Sequence, residues 1–280
     1  MARTNAQGIY DSSDDTTKAK LAELSGKLIE GIFATAISSR IKNTDYSGDP
    51  TTGSVEVNRF KNAVSKDYGS ARTAGKGEAL RNTGKATINI DQDKEIVEEV
   101  KGKDLALFGI DGLAEKRADN HRKQMVAVLD RAFFAEAEAK GTNVVLTGIT
   151  AIEEIAEKMV QTIISVKNDW VDGVDKEDVV MSLTPKAYGK LRNYIDKVTV
   201  PTVNSGSREI NLFHGVETLE NVRQTADFII MVKGAIAQPV KVNQYDAEKI
   251  PLSNDYALEL FYSYGIGVLS KDLIFKATLA

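Results

Sequence analysis

The chain of 280 residues has no cysteine, so disulfides, thiolate nucleophiles and cysteine-held metals are excluded. Histidine is nearly as scarce. Only His121 and His214 occur, far apart in sequence, which argues against a histidine-rich zinc site. No G-x-S-x-G, H-E-x-x-H or G-x-G-x-x-G motif is present. Gly69 to Lys76 fails as a phosphate loop: five residues separate Gly69 from Gly75, and Gly77 stands where a magnesium-binding hydroxyl is needed. Asp91, Asp93 and Glu95 fail as a calcium loop, because Ile96 occupies the turn position that requires glycine. No catalytic residue, cofactor site or metal site is therefore expected. A membrane span of about 18 or more apolar residues is missing, and no apolar segment follows Met1-Ala-Arg-Thr-Asn5. The expectation is a protein that is cytoplasmic where it is made, without membrane contact. A net charge of −4 leaves no global basic footprint for tight nucleic-acid binding.

The composition that remains, 42% hydrophobic and 27% charged, is that of a globular chain able to bury a sizeable core. Its longest uninterrupted pattern lies between Gly112 and Gly141 and predicts one helix, with Asp111 as cap and Gly141 as the left-handed residue that ends it. The first half is charged (Glu115, Lys116, Arg117, Asp119, Arg122, Lys123). The second carries a buried stripe of Met125, Val128, Leu129 and Ala132, flanked by Val126 and Phe133. His121, on the charged half, reads as a surface or partly buried helix residue, and His214 is read in the same way.

Before this helix, residues 1 to about 16 have the polar composition of an arm. A helix capped by Thr16 or Thr17 is expected to run to about Arg40, with Leu21, Leu24, Leu28, Ile32, Phe33, Ala36 and Ile37 on one face; Asn43 to Gly53 is a linker. Val55 and Val57 alternate with polar residues, as do Ala86, Ile88 and Ile90, and the polar stretch between them predicts a long projecting hairpin. From Ser54 to Thr87 seven basic residues (Arg59, Lys61, Lys66, Arg72, Lys76, Arg81, Lys85) stand against three acids. From Asp91 to Asp104 six acids stand against three lysines. A basic projection beside an acidic base suits contact between copies.

After the long helix, Thr150-Ala-Ile-Glu153 matches a capping box ahead of a stripe of Ile152, Ile155, Ala156, Met159, Ile163 and Val166. Val179–Leu183 reads as a strand, Thr184-Pro185 opens a helix carrying Tyr188, Leu191 and Ile195, and Val198 to Arg208 reads as a loop. Phe228–Val232 is a buried strand by its continuous apolar run. Tyr256 through Val268 has apolar residues at every second position and predicts one long strand, paired with the segment around Val240 and Val242 into a sheet against the long helix. An isopeptide cross-link from Lys66, Lys76 or Lys85 would need a partner on another subunit, which spacing does not identify.

The order of these parts resembles the tailed-bacteriophage major capsid proteins of the Hong Kong 97 type. The likeness rests on the hairpin Gly53-Ser-Val-Glu-Val-Asn-Arg-Phe60 through Lys85-Ala-Thr-Ile-Asn-Ile-Asp91 with Arg72-Thr-Ala-Gly-Lys-Gly77. It rests also on the spine helix, Val179-Val-Met-Ser-Leu-Thr-Pro-Lys-Ala-Tyr188 and Tyr264-Gly-Ile-Gly-Val268. It implies an α+β Hong Kong 97-like capsid fold: an N-terminal arm with helix (1–53), an extended E-loop hairpin (54–92), a P-domain with spine helix and long-stranded antiparallel sheet (93–143), an A-domain (144–236) and returning strands (237–280). It implies a structural major capsid protein of the virion, assembled in the host bacterial cytoplasm into hexamers and pentamers of an icosahedral head around double-stranded DNA. The implied partners are copies of itself, a portal protein, packaged DNA bound without sequence specificity and, optionally, a decoration protein. Some relatives begin with a long acidic scaffolding region; only 53 residues precede the hairpin here, so a separate scaffolding protein is expected. On this reading Arg59, Lys61, Arg72, Lys76 and Arg81 of one copy meet Glu95, Glu98 and Glu99 of another, and the charged half of the spine helix meets neighbouring hairpins or arms. A nanocompartment shell enclosing enzyme cargo is the related alternative, and a soluble α/β enzyme the distant one.

Overall fold

The computed structural model describes residues 30–31, 35–47, 52–62, 67–68, 82–101, 110–198, 212–253 and 255–279, the side chains of 82–83, 110–116, 198 and 243–249 excepted. A short helix α1 (Ile37–Ile41) precedes the antiparallel pair β1 (Ser54–Phe60) and β2 (Asn82–Asn89), then β3 (Gln92–Val100) and the spine α2 (Ile110–Lys140). Next come β4 (Thr142–Asn143), α3 (Ile152–Ile164), β5 (Val179–Leu183), α4 (Pro185–Val198), β6 (Leu212–Phe213), β7 (Val216–Glu220) and β8 (Phe228–Val232). The chain closes with β9 (Ile236–Ala237), β10 (Val240–Lys249), β11 (Tyr256–Tyr264), β12 (Gly267–Val268) and β13 (Ile274–Ala277).

Two sheets are organised along the spine. The three-stranded antiparallel sheet has the order β10-β11-β3, and the six-stranded sheet the order β4-β13-β8-β5-β7-β6. Spanning 31 residues, α2 is about 46 Å long at 1.5 Å per residue, enough to serve both. Met125, Val126 and Leu129 pack on Leu258, Leu260 and Tyr262 of the three-stranded sheet, joined by Val128. Phe133, predicted in the same stripe, belongs instead with Phe134 and Ala137 against Ile229, Met231 and Ile274 of the six-stranded sheet. One further turn of helix carries the stripe past the first sheet and onto the second.

The continuous apolar run of β8 has its explanation in this arrangement. Phe228 and Ile230 face α3 and α4, while Ile229 and Met231 face the spine, so both sides of the strand are covered. In β5, Val179, Met181 and Leu183 face α3 and α4, and Val180 faces the spine. Ile155, Ala156, Met159 and Ile163 of α3 form the expected buried stripe. Thr184 caps α4 as predicted, its hydroxyl accepting from the Ala187 N–H at 3.4 Å and donating to Asp227 at 3.0 Å.

Several sequence expectations are corrected. The spine begins at Ile110, so Asp111 lies inside the helix and is not its cap. Gly141 ends the helix without a left-handed φ; it is needed because a Cβ there would lie 2.6 Å from the Ala137 carbonyl and 3.0 Å from Ile274. The capping box at Thr150 does not form: Ala151 is the N-cap, with no side-chain bond. The helix expected to run to Arg40 is interrupted at Ala36, whose extended backbone (φ −73°, ψ 127°) starts α1 afresh; its parts before Glu30 and over 32–34 lie outside the described residues, as does most of the loop expected over 198–208. His121 is fully buried.

The long C-terminal strand is also two strands. Alternation persists through Val268, but β11 stops at Tyr264 and β12 pairs with β9 in a separate small sheet. Gly265 and Gly267 at this switch lie against the hairpin: a Cβ on Gly265 would sit 2.2 Å from the Asn89 carbonyl oxygen, and one on Gly267 2.5 Å from Ile88 Cγ1. Gly265→Ala must therefore push β2 away, and is expected to cost about 3 kcal/mol as an overpacked site, read by guanidinium unfolding; a neutral result would show that the hairpin base shifts freely.

Candidate assembly surface

The hairpin is held at its base by apolar packing and a polar latch. Val55, Val57 and Ile88 bury one face against Ala237 and Leu269. At the end of β1, Arg59 donates through both terminal nitrogens to Asp272, at 2.8 and 2.9 Å. Its guanidinium carbon lies 4.9 Å from the ring centre of Trp170, and Lys61 Nζ lies 5.7 Å from the same ring. Lys61 also pairs with Asp169 at 2.7 Å, and the Asn62 N–H donates to the Asp169 carbonyl. Asn168 orients the loop, accepting the N–H groups of Trp170 and Val171 and donating to Asp272 at 2.6 Å. Burial pushes the Asp272 carboxyl up, but the bonds from Arg59 and Asn168 outweigh it and leave it below the usual value. Lys61 lowers Asp169 in the same direction. Trp170 and its acids were missed because nothing in Asn168-Asp-Trp-Val-Asp-Gly173 but the lone tryptophan of the chain stands out in sequence.

The acidic segment beyond the hairpin is itself a strand. Register places Ile96 opposite Leu260 and Val100 opposite Tyr256, with Glu98 between them on the spine-facing side. Glu98 accepts from the Arg117 guanidinium and lies 2.9 Å from His121 Nε2. Burial raises its carboxyl, yet the Arg117 and His121 bonds prevail and hold it below the ordinary range. Glu95 and Glu99 are exposed, as is Val97 at 51%. These three share the other face of the strand, away from the spine.

Of the eight residues expected at subunit contacts, Arg59, Lys61 and Glu98 thus have their charges met within the chain. Glu95 and Glu99 present theirs outward, and Arg72, Lys76 and Arg81 lie outside the described residues. The described part of the charged spine segment is likewise engaged. Arg122 pairs with Asp119 and reaches the Gly31 carbonyl and Thr35 hydroxyl at 3.3 and 3.4 Å. Gly31 permits this, since a Cβ there would sit 2.5 Å from Arg122 Cδ. That half of the helix holds β3 and the segment ahead of α1, both of the same chain.

Two clefts lie among the described residues. A cleft of about 430 Å³ between α3, α4 and β6 holds His214, with a left-handed φ of 50°, stacked on Phe213 and 2.5 Å from Glu157. A second, of about 630 Å³, lies beside Trp170 and is lined by Arg59, Glu136, Lys140, Lys271 and Asp272. Among the described residues no cluster of three or more acids and histidines could hold a metal ion, and no helix is long and apolar enough to cross a membrane.

The chain superposes on solved structures along most of their length. One from Mycobacterium phage Che8 superposes with a TM-score of 0.62 at 16% identity, covering 87% of this chain and 91% of that one. The capsid of cyanophage P-SCSP1u gives 0.59 at 15% identity, covering 85% of each chain. This is the Hong Kong 97-type capsid fold. A virus-like particle from Pyrococcus furiosus has it too, with a TM-score of 0.58 at 15% identity over 92% of this chain and 99% of that one. Neither a protein-family model nor a curated protein matches the sequence. Within this fold the Trp170 latch fixes the base of the β1–β2 hairpin, and Glu98 fixes the three-stranded sheet to the spine.

Proposed function

We propose that this chain is a non-enzymatic structural subunit that assembles with copies of itself into a closed shell, as a tailed-phage major capsid protein. The observation that supports this is the extent of the match in fold, which covers 87% of this chain and 91% of the phage Che8 chain. In this reading residues 54–92 are the E-loop, 93–143 the P-domain, 144–236 the A-domain, and 237–280 return strands to both the P-domain and the A-domain. Hexamers and pentamers close an icosahedral head around double-stranded DNA, with a separate scaffolding protein and a portal as partners, and a decoration protein where one exists. The basic hairpin residues Arg72, Lys76 and Arg81 then lie over Glu95 and Glu99 of a neighbour. Each exposed pair contributes only about 0.2–1 kcal/mol, but many such contacts add through closed symmetry.

Negative-stain microscopy of the purified protein is expected to show uniform shells; a compact monomer at all concentrations, with turnover of a small molecule, would overturn the assignment. Reversing Arg72 and Lys76 to glutamate is expected to cut shell yield at least tenfold while leaving the subunit folded by circular dichroism. Normal shells from that variant would remove the hairpin from the assembly mechanism.

A second reading, a nanocompartment shell around enzyme cargo, has the Pyrococcus furiosus particle in its support, since that match reaches 99% of its chain. Co-purifying protein cargo would favour it, and packaged DNA with a portal the phage head.

A further inference from the structure

The cleft of about 630 Å³ beside Trp170 gathers groups that the hairpin latch leaves unused. It lies where the end of β1, the last turns of the spine, the loop after α3 and the connection from β12 to β13 come together. Its volume is within the range of about 300–1,000 Å³ that small-molecule sites occupy. Part of its polar lining is already committed: Arg59 and Asn168 are bonded to Asp272, and Asp169 to Lys61. The rest is not. Lys140 and Lys271, both exposed, make no hydrogen bond or ion pair among the described residues, and neither does Glu136, half-buried one turn before Lys140. The indole N–H of Trp170 has no acceptor among the described residues either, although a half-buried tryptophan ordinarily finds one. Trp170, Val268 and Leu269 supply an apolar wall.

Each unused group selects one feature of an occupant. Two ammonium groups and an indole N–H, with no acceptor of their own, suit the oxygens of a phosphate monoester, which carries close to two negative charges at neutral pH. The indole ring and the two aliphatic side chains suit a flat ring. Glu136 accepts and does not donate, so it repels a second anionic group and takes a hydroxyl or amino group. We propose that this cleft binds an aromatic phosphate monoester of the nucleoside monophosphate class, with its phosphate at Lys140 and Lys271 and its ring against Trp170. Because the walls come from the spine, the Trp170 loop and the end of β1, an occupant also braces the base of the hairpin. The cleft is built within one subunit, so this inference does not depend on shell formation.

Adenosine monophosphate added to the intact chain is expected to change the emission of Trp170, the only tryptophan, in a saturable way. Ionic strength is held fixed, since exposed lysines also attract anions without a site. Adenosine, which lacks the phosphate, and inorganic phosphate, which lacks the ring, are each expected to bind at least tenfold more weakly. Combining Lys140→Ala with Lys271→Ala is expected to weaken binding of the nucleotide at least tenfold with the circular dichroism spectrum retained, because both side chains are exposed. Lys190→Ala, at an exposed position on α4, is the control and leaves binding unchanged. Saturating nucleotide is expected to slow proteolysis within residues 54–92 at least twofold in the wild type and not in the double variant. A nucleotide bound no more tightly than inorganic phosphate, or as tightly by the double variant as by the wild type, would overturn the site. A single-stranded oligonucleotide at equal nucleotide concentration separates the sources: displacement of the mononucleotide assigns the site to nucleotides within a DNA strand, and no displacement assigns it to a free nucleotide.

Discussion

Replacing Asp130 by alanine is expected to destabilise the subunit by about 3–5 kcal/mol, because it removes one partner of a buried ion pair, and to lower its melting temperature by about 10 °C. Asp130 is fully buried on the spine and accepts from Arg223 Nη1 at 2.5 Å. It also accepts the Ser38 N–H at 2.9 Å and, more weakly, the Ile37 N–H at 3.4 Å. These are the first turn of α1, which has no side-chain cap of its own. One carboxylate on the spine thus caps a helix far away in sequence and neutralises an arginine from the loop before β8. Without it, a half-buried guanidinium and two amide groups lose their acceptor together. Asp130→Asn keeps an acceptor for Ser38 but not the charge for Arg223, and is expected to fall between. Pairing Asp130→Leu with Arg223→Leu should cost less than the sum of the two single changes. Urea unfolding of the four proteins checks this; a loss under about 1 kcal/mol for Asp130→Ala would show that α1 is not held by the spine.

The same residue shows where sequence reading reached its end. Elements whose burial is periodic and local were legible: the bounds of β5 and β8, the stripe of α3 and the Thr184-Pro185 start of α4 all follow from spacing alone. So did the hairpin, because Val55, Val57 and Ile88 alternate with polar residues on both strands. What stayed hidden depends on tertiary partners. The spine-facing side of β3 is Ile96, Glu98 and Val100, and a glutamate that pairs with Arg117 and His121 reads as a solvated charge until the spine is laid over it. The break at Ala36 exists because Asp130 offers an acceptor, which no property of residues 30–41 reveals. The strand switch at Gly265 follows from the closeness of Asn89. The contact set was legible in its charge balance but not in its allocation, since Arg59 and Lys61 are spent within the subunit on residues that carry no sequence signal.

That allocation sets up the other large effect. Arg59→Ala is expected to free the hairpin base at neutral pH, with a local loss of about 1.5–3 kcal/mol for the charge-assisted bonds to Asp272 and a further contribution from the lost stacking on Trp170. Trp170 is the only tryptophan, so its emission reports this one junction. The variant should show a red-shifted emission and faster proteolysis in residues 54–92, with the rest of the subunit retained, since the base would keep the apolar contacts of Val55, Val57 and Ile88 and the Lys61–Asp169 pair but lose its two-pronged bond to Asp272. Arg59→Lys keeps the charge but not the two-pronged geometry, and should be intermediate. Acid should reproduce the effect in the wild type. The folded-state values of Asp272 and Asp169 lie below their unfolded ones, so the latch is complete above the ordinary aspartate value of about 4 and is lost as pH falls through the lowered values. A red shift in acid with Arg59→Ala already shifted at neutral pH would establish the latch. Unchanged emission in both would show that the hairpin is held by its apolar face alone, and the ion pairs would then be incidental to how firmly its base is fixed.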